Sequence, residues 1–393
     1  MITKNLLLYL LLIILPDLYI YRRFVARRHI ARWKKLLWWL PCLLMLWLTY
    51  QMATTDQFIP DDNRLLFIYL LLLGVCVVSK AVFALCSIVG RGVARLFHSH
   101  KNWGNMVGLF GALGTVYVTV YGLTAGFASL EVTHHDFTSP AVPRSFDGYR
   151  IAVLSDLHVG SYQGDKQYIL QNVLDTLRSL DADMVCFVGD LQNMNPSQVE
   201  EHRHLLNSIP SRDGVFSVLG NHDYGMYASP HKKVQDSLTH KMIDVQRQMG
   251  WTLLLNENRV VRRGNDSIFV AGMENQGNKA RMPQRARPDL AMKGIPKGAF
   301  TIMLEHDPTS WRSMILPETT AQLTFSGHTH GGQLALFGIK AGDLMYSEND
   351  GLYEEQGRSL YVSHGVGGLL PLRFGLPGEV ALITLHHKTT SEQ

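Results

Sequence analysis

Cysteine is scarce in this chain, with four in 393 residues. Cys42, Cys76 and Cys86 lie in apolar segments, and Cys186 lies alone beyond them in a strand-like run, so no disulfide can form within the second part of the chain. Cys186 reads as a small core residue, and the pattern leaves the redox compartment open. Acidic residues are few in the first third, where residues 1–130 hold 13 Lys+Arg and 4 Asp+Glu. An excess of basic charge is missing from the remainder, where 24 Lys+Arg face 29 Asp+Glu. The overall +4 thus joins two unlike parts. The acidic second part lacks the electrostatic footprint of a general nucleic-acid binder, so no nucleic acid is expected as a partner.

Long apolar runs are confined to the first third, at about residues 5–21, 36–53, 65–89 and 106–130. The last three approach or exceed the roughly 20 residues a helix needs to cross a bilayer. The first holds Pro16 and Asp17 and lacks a small-residue cleavage site, so a short or tilted helix is preferred to a removed signal peptide. Between the first two runs lie Arg22, Arg23, Arg27, Arg28, Arg32, Lys34 and Lys35, a loop expected on the cytoplasmic side. The loop with Asp56, Asp61 and Asp62 then falls outside, and the loop with Arg91, Arg95 and Lys101 inside. The chain beyond the fourth run is expected to face away from the cytoplasm. Lys80 stands within the third run, where a charge either marks a polar path or is paired or snorkelled. Without repeats or further buried charge there, a transporter is not favoured.

Residues 1–130 are therefore read as about four transmembrane helices, 131–148 as a linker, 149–388 as a second domain and 389–393 as a tail. The linker contains His134, His135 and two prolines, and its histidines are expected to be solvated. Residues 149–160 read YRIAVLSDLHVG, a strand buried on both faces that ends in Asp156 and His158. Ligands bind at the carboxyl edge of open α/β sheets, and an Asp-x-His pair offers oxygen and imidazole nitrogen to a borderline metal. Such a pair alone more often caps a helix or satisfies backbone groups, so partners are needed.

They recur down the chain. A helical period over residues 166–180 leads to a second strand, 184–188, closed by Gly189 and Asp190. A helix over 196–207 leads to a strand over 215–219 that ends in Gly220, Asn221, His222 and Asp223. A further helix over 231–249 and two strands around Gly264-Asn265 come next. The strand 300–305 ends at His306, and 323–326 ends at Gly327-His328-Thr329-His330-Gly331-Gly332. Five strand ends carry polar clusters that would meet along one sheet edge.

In these residues the chain resembles the calcineurin-like metallophosphoesterase family, in particular a bacterial membrane-tethered branch with a Gly-His-Thr-His-Gly-Gly-Gln motif, here Gly327 to Gln333. The resemblance runs over about residues 149–385. It implies an α/β, four-layer αββα sandwich holding two divalent metal ions, with manganese, iron and zinc left open. One ion would take Asp156, His158, Asp190 and His330, and the other Asp190, Asn221, His306 and His328. Asp190 would bridge them, and His222 would be the general acid. Many relatives carry Asp where this chain has Asn193, so Asp223 is a candidate to orient His222; otherwise the acidity of His222 departs from the family norm.

The expected function is a membrane-anchored two-metal phosphoesterase that cleaves a phosphomonoester, phosphodiester or pyrophosphate, with a lipid or cell-envelope intermediate as candidate substrate. Two cations sharing a carboxylate acidify a water and neutralise phosphoryl oxygens. A bacterial plasma membrane is the expected location. The alternative is a non-catalytic metal-binding sensor or scaffold at the membrane. Two regions are candidates for holding an anionic head group: the apolar stretch 365–375 with Arg373, and the group Lys279, Arg281, Arg285 and Arg287. Ordinary packing and solvation are the simpler readings of both.

Overall fold

The computed structural model describes residues 5–54 and 64–388, which divide into two compact units at Ala125 and Gly126. The acidic loop with Asp56, Asp61 and Asp62 and the tail 389–393 lie outside the described residues.

The first unit is helical. Three helices, Arg32–Thr54, Arg64–Leu96 and Gly104–Gly126, are long and apolar enough to cross a membrane, with mean hydropathies of 1.4, 2.5 and 1.6. Large apolar side chains such as Leu43, Trp47, Leu109, Phe110 and Leu113 point outward and are exposed, as hydrocarbon surroundings require. The first apolar run forms the helix Leu6–Ile20, 15 residues long, which at about 1.5 Å per residue is shorter than the hydrocarbon core. A wide turn, Tyr21–Val25, continues it. Asp17 on this helix accepts from Lys80 Nζ at 2.8 Å, and the ammonium also lies 5.2 Å from the Trp38 ring centre. The Lys80 charge is paired, which removes the one feature that suggested a polar path.

The second unit holds fourteen strands among the described residues: β1 (Leu130–Ser139), β2 (Tyr149–Leu154), β3 (Met184–Phe187), β4 (Val215–Ser217), β5 (Thr252–Leu253), β6 (Glu257–Arg263), β7 (Asp266–Gly272), β8 (Thr301–Leu304), β9 (Leu323–Ser326), β10 (Ala335–Leu336), β11 (Ile339–Lys340), β12 (Gly351–Glu355), β13 (Arg358–Val362) and β14 (Gly378–His387). One sheet runs β1-β14-β2-β3-β4-β5, the other runs β12-β13-β9-β8-β7-β6, and β10-β11 is a separate hairpin. In the first sheet only β14 and β2 are antiparallel neighbours; in the second the antiparallel pairs are the two edges.

Alternation along β2 shows how the layers form. Ile151 and Val153 face the second sheet and pack in a common core with Ile302, Leu304 and Phe325. Ala152 and Leu154 face the other way, onto Ile169, Val173 and Leu177 of the helix Gln167–Leu180. On the far side of the second sheet, Met303 and Leu360 pack against Trp311 and Ile315. Two sheets face to face between helical layers make the four-layer αββα sandwich.

The linker expectation for residues 131–148 is corrected. β1 runs through it, paired in parallel with β14 over ten positions from Leu130↔Gly378 to Ser139↔His387. Beyond it, Val142 and Phe146 are buried in the core between the sheets. Only Phe137 of β1 is fully buried, so the strand is held by ladder hydrogen bonds to a partner some 250 residues away, which leaves no local signal. His134 is exposed and His135 lies against Tyr361, 4.8 Å between ring centres, and neither joins a metal-type cluster.

Arg373 is fully buried. Its guanidinium donates to the carbonyls of Gly367, His364, Gly365, Leu376 and Pro377 at 2.7–3.4 Å, closing the loop before β14. Burial lowers its pKa to about 10, which leaves it cationic at neutral pH. It is a structural cross-link and is not available to a lipid head group. Arg373→Met is expected to destabilise the unit by about 3 kcal/mol or more, because the carbonyls lose their donors. Arg373→Lys should restore little, since an ammonium offers three donors and no planar fork. Unfolding midpoints of both variants check this.

Candidate metal centre

Every expected ligand sits just past the carboxyl end of a strand. Asp156 and His158 follow β2, Asp190 follows β3, Asn221 follows β4, His306 follows β8, and His328 and His330 follow β9. These strands are adjacent within their sheets, so their ends converge. Asp156, His158, Asp190, His328 and His330 all have left-handed backbones, with φ between 45° and 73°. That conformation is costly for side chains other than glycine and persists only where neighbours enforce it. Here the Asp156 and His158 N–H groups donate to Gly189 and Asp190 carbonyls at 2.9 and 3.1 Å, and the His328 N–H donates to Asp156 Oδ2 at 3.0 Å. A Cβ on Gly220 would overlap the Asp190 carboxylate, and one on Gly327 would overlap Ser155 and Asp156, so both glycines are required by close approach.

Of four clusters of ligand-type atoms within 4.8 Å of one another among the described residues, two match the expected sets: Asp156, His158 and His330, and Asp190, His306 and His328; a third joins His158, Asp190 and His222, and the fourth is Asp350, His364 and Glu379. Asp190 Oδ2 lies 3.6 Å from His158 Nε2 and 3.3 Å from His306 Nε2, between the two groups. Asp156 Oδ1 lies 3.5 Å from His330 Nε2, and Asn221 Oδ1 lies 2.8 Å from His328 Nδ1. The structure thus brings all seven predicted ligands together.

The outer atoms are anchored and the inner ones are left over. His158 Nδ1–H donates to the Gln192 carbonyl at 3.1 Å and His306 Nδ1–H to the Val188 carbonyl at 2.7 Å, which turns each Nε2 lone pair inward. Asp190 Oδ1 accepts from the His222 backbone N–H at 2.8 Å, leaving Oδ2 for the interior. Asp156 Oδ1, His158 Nε2 and His306 Nε2 are buried with no hydrogen-bond partner. Buried polar atoms are rarely left so, and a carboxylate oxygen beside imidazole lone pairs is the donor set of a divalent transition metal. The residues fit such an ion.

The electrostatics favour the neutral form at His158 and His330 and the charged form at His306. Burial, aided by His222, pushes His158 down to about 3, and burial with the Arg373 charge holds His330 well below the usual histidine range. Both imidazoles are neutral, as ligands must be. Burial opposes charge on His306 and on Asp190, but their mutual attraction prevails: it raises His306 and lowers Asp190 well beyond their ordinary values.

His222 borders both groups, its ring 4.9 Å from that of His158 and stacked on Tyr227 at 4.2 Å. Its Nδ1–H donates to the Asn193 carbonyl at 2.7 Å. The expectation that Asp223 orients His222 is therefore corrected. Asp223 accepts backbone N–H groups of Asp190, Leu191, Gln192 and Gly220 at 2.9–3.3 Å and shapes the turn that carries Asp190. A main-chain carbonyl replaces the carboxylate, and the Asn193 side chain donates to Ser161 instead.

Three neighbours were not anticipated. Tyr227 Oη accepts from Asn221 Nδ2 at 2.9 Å, Tyr346 Oη lies 3.4 Å from His328 Nε2, and Asp307 Oδ2 lies 3.7 Å from the same nitrogen. Asp307 adjoins His306 in the sequence and was open to notice; Tyr346 reaches the site through an irregular segment that carries no pattern. Of the basic group, Arg285 faces Glu274 and Asp236, and Arg287 pairs with Asp289. Lys279 and Arg281 are exposed.

Glu305, buried beside the site, is pushed up to about 8 by burial and by Asp307, against hydrogen bonds from Ser310 and the Gln276 N–H. A free Glu titrates near about 4.3, so across the window from there to about 8 the native state binds the extra proton and stability falls as pH rises. In chelated protein, the stability of wild type relative to Glu305→Gln, read from unfolding midpoints, is expected to fall between about pH 4.3 and about pH 8.

Comparison with known proteins agrees with the geometry. Residues 149–332 match the family model described as calcineurin-like phosphoesterase, and residues 3–127 match that of a probable calcineurin-like phosphoesterase transmembrane domain. The chain is 29% identical over 294 residues to the uncharacterized metallophosphoesterase YkuE of Bacillus subtilis, covering 71% of this chain and 95% of that one. It is 28% identical to a transmembrane protein with metallophosphoesterase domain of Danio rerio, covering 69% of this chain and 61% of that one. It is 26% identical to the UDP-2,3-diacylglucosamine pyrophosphatase LpxG of Chlamydia trachomatis, covering 65% and 88%.

Proposed function

From the premise that the chain belongs to the calcineurin-like phosphoesterases, metal-dependent hydrolases of phosphoric esters, we propose that it is a membrane-anchored enzyme with two metal ions that cleaves a phosphoester or pyrophosphate bond of a lipid-borne substrate. The observation that carries this is Asp190, whose Oδ2 stands between two ligand groups at 3.6 and 3.3 Å. One ion would be held by Asp156, His158, Asp190 and His330, and the other by Asp190, Asn221, His306 and His328. Two such cations would supply charge for the phosphoryl oxygens and acidify the attacking water.

The chain's own residues do the rest. Asp190 would offset the repulsion between the two cations, and the carbonyls of Gln192 and Val188 fix the imidazoles that would hold them. His222, held by the Asn193 carbonyl and the Tyr227 ring, hands a proton to the departing oxygen as its bond to phosphorus breaks. Membrane spans in the same chain and the lipid pyrophosphate named for the Chlamydia relative favour a substrate presented at a membrane. The basic loop around Arg22 to Lys35 favours a catalytic unit on the non-cytoplasmic face of a plasma membrane. Reporters fused after Arg28 and after Leu130 should be active on opposite sides.

The test is a panel of nucleotide-linked acyl sugars, isoprenyl pyrophosphates and phospholipids offered to manganese-loaded protein, with a chelated control. Release of a lipid phosphate from at least one, lost on chelation, is expected. No turnover of any of them, or of aryl phosphates, by protein with both metals bound would favour a non-catalytic metal-binding protein.

A further inference from the structure

We propose that the helical unit carries a second phosphate-recognition site, independent of the hydrolytic reading, that takes the head group of an anionic phospholipid. Arg22, Arg23, Arg27 and Arg91 line one cavity of about 320 Å³. Leu15, Leu18 and Tyr19 line the same cavity.

The convergence has a traceable cause. Tyr19 Oη and Ser87 Oγ meet at 2.8 Å, which docks the helix Leu6–Ile20 onto the helix Ser79–Leu96. Arg22 and Arg23 stand three and four residues beyond Tyr19, and Arg91 stands four beyond Ser87, so the same contact brings their faces together. A preference for basic residues in cytoplasmic loops explains their presence but not their gathering from two helices. Gathered guanidinium groups repel one another, and among the described residues of this unit no carboxylate is free to neutralise them. Asp17 is the only acidic residue among the described residues of this unit, and Lys80 already occupies it at 2.8 Å. A bound anion would supply the counter-charge.

Its chemistry follows from the lining. Guanidinium forks match the oxygens of a phosphate in paired hydrogen bonds. Leu15 and Leu18 add an apolar wall at the end of a helix whose exposed residues include Leu7, Leu8 and Leu11, which suits a phosphate attached to glycerol and acyl chains. A free phosphate would leave that wall unused.

The full chain in detergent is titrated with dioctanoyl phosphatidylglycerol while its thermal midpoint is followed, since a ligand of the folded state raises it. Dioctanoyl phosphatidylcholine and inorganic phosphate are run alongside. The glycerol lipid is expected to stabilise wild type and the other two to have little effect. The pair Arg23→Gln with Arg91→Gln should weaken the effect by about tenfold or more, and the pair Arg28→Gln with Arg32→Gln, which removes equal charge outside the cavity, by less than about twofold. Arg91→Lys, which keeps the charge and loses the fork, should fall between and serves if the double variant does not fold. Equal weakening in both pairs would reduce the effect to diffuse surface charge and overturn the site. Equal protection by inorganic phosphate, or by the choline lipid, would overturn the lipid assignment.

Discussion

Asp190→Ala is expected to empty both metal positions and to lower kcat by at least about a thousandfold. The residue is buried, and its Oδ2 lies within 3.6 Å of imidazole nitrogens from both ligand groups. Removing it would take away a donor proposed for both ions and the negative charge that would allow two cations to sit side by side. Asp156→Ala makes the contrast, because Asp156 belongs to one group only. That variant should retain about one equivalent of manganese, and Asp190→Ala close to none. Metal content of purified protein, measured together with turnover, separates the two. Equal loss in both variants would mean that Asp190 is not shared.

His222→Gln is expected to act on the leaving group and not on the metals. Neither proposed ion takes His222 as a ligand, although it also forms a metal-type cluster with His158 and Asp190; its Nδ1–H is committed to the Asn193 carbonyl, which leaves Nε2 for proton transfer. A substrate that expels an alkoxide needs that proton, and its kcat should fall by about 10²–10⁴. A nitrophenyl ester expels a stable anion and should lose less than about tenfold. Metal content should match wild type. A uniform loss across leaving groups, or a drop in bound metal, would place His222 in positioning rather than in acid catalysis.

The site was more legible in the sequence than the fold around it. Each ligand ends a run of buried, β-rich residues such as Ile151 to Leu154 or Leu323 to Ser326, and strand ends in adjacent order must meet. The edges were not legible. β1, β13 and β14 owe their place to long-range pairing, Leu130 with Gly378 and Ser359 with Leu323, which no local period announces. Orientation of His222 was misassigned for a related reason. Sequence shows side chains, and the group that holds this imidazole is the main-chain carbonyl of Asn193, which any residue at that position would supply. Arg373 shows the reverse: ordinary packing was the simpler reading of that glycine-rich stretch, and the carbonyls of Gly365 and Gly367 hold the buried guanidinium as that reading expects.

The central claim is that two cations sit on either side of the Asp190 carboxylate. Anomalous diffraction from crystals grown with manganese tests it directly. Two peaks are expected, one among Asp156, His158 and His330 and one among Asn221, His306 and His328, each in contact with Asp190. A single peak, or peaks away from Asp190 in crystals shown to contain the metal, would contradict it.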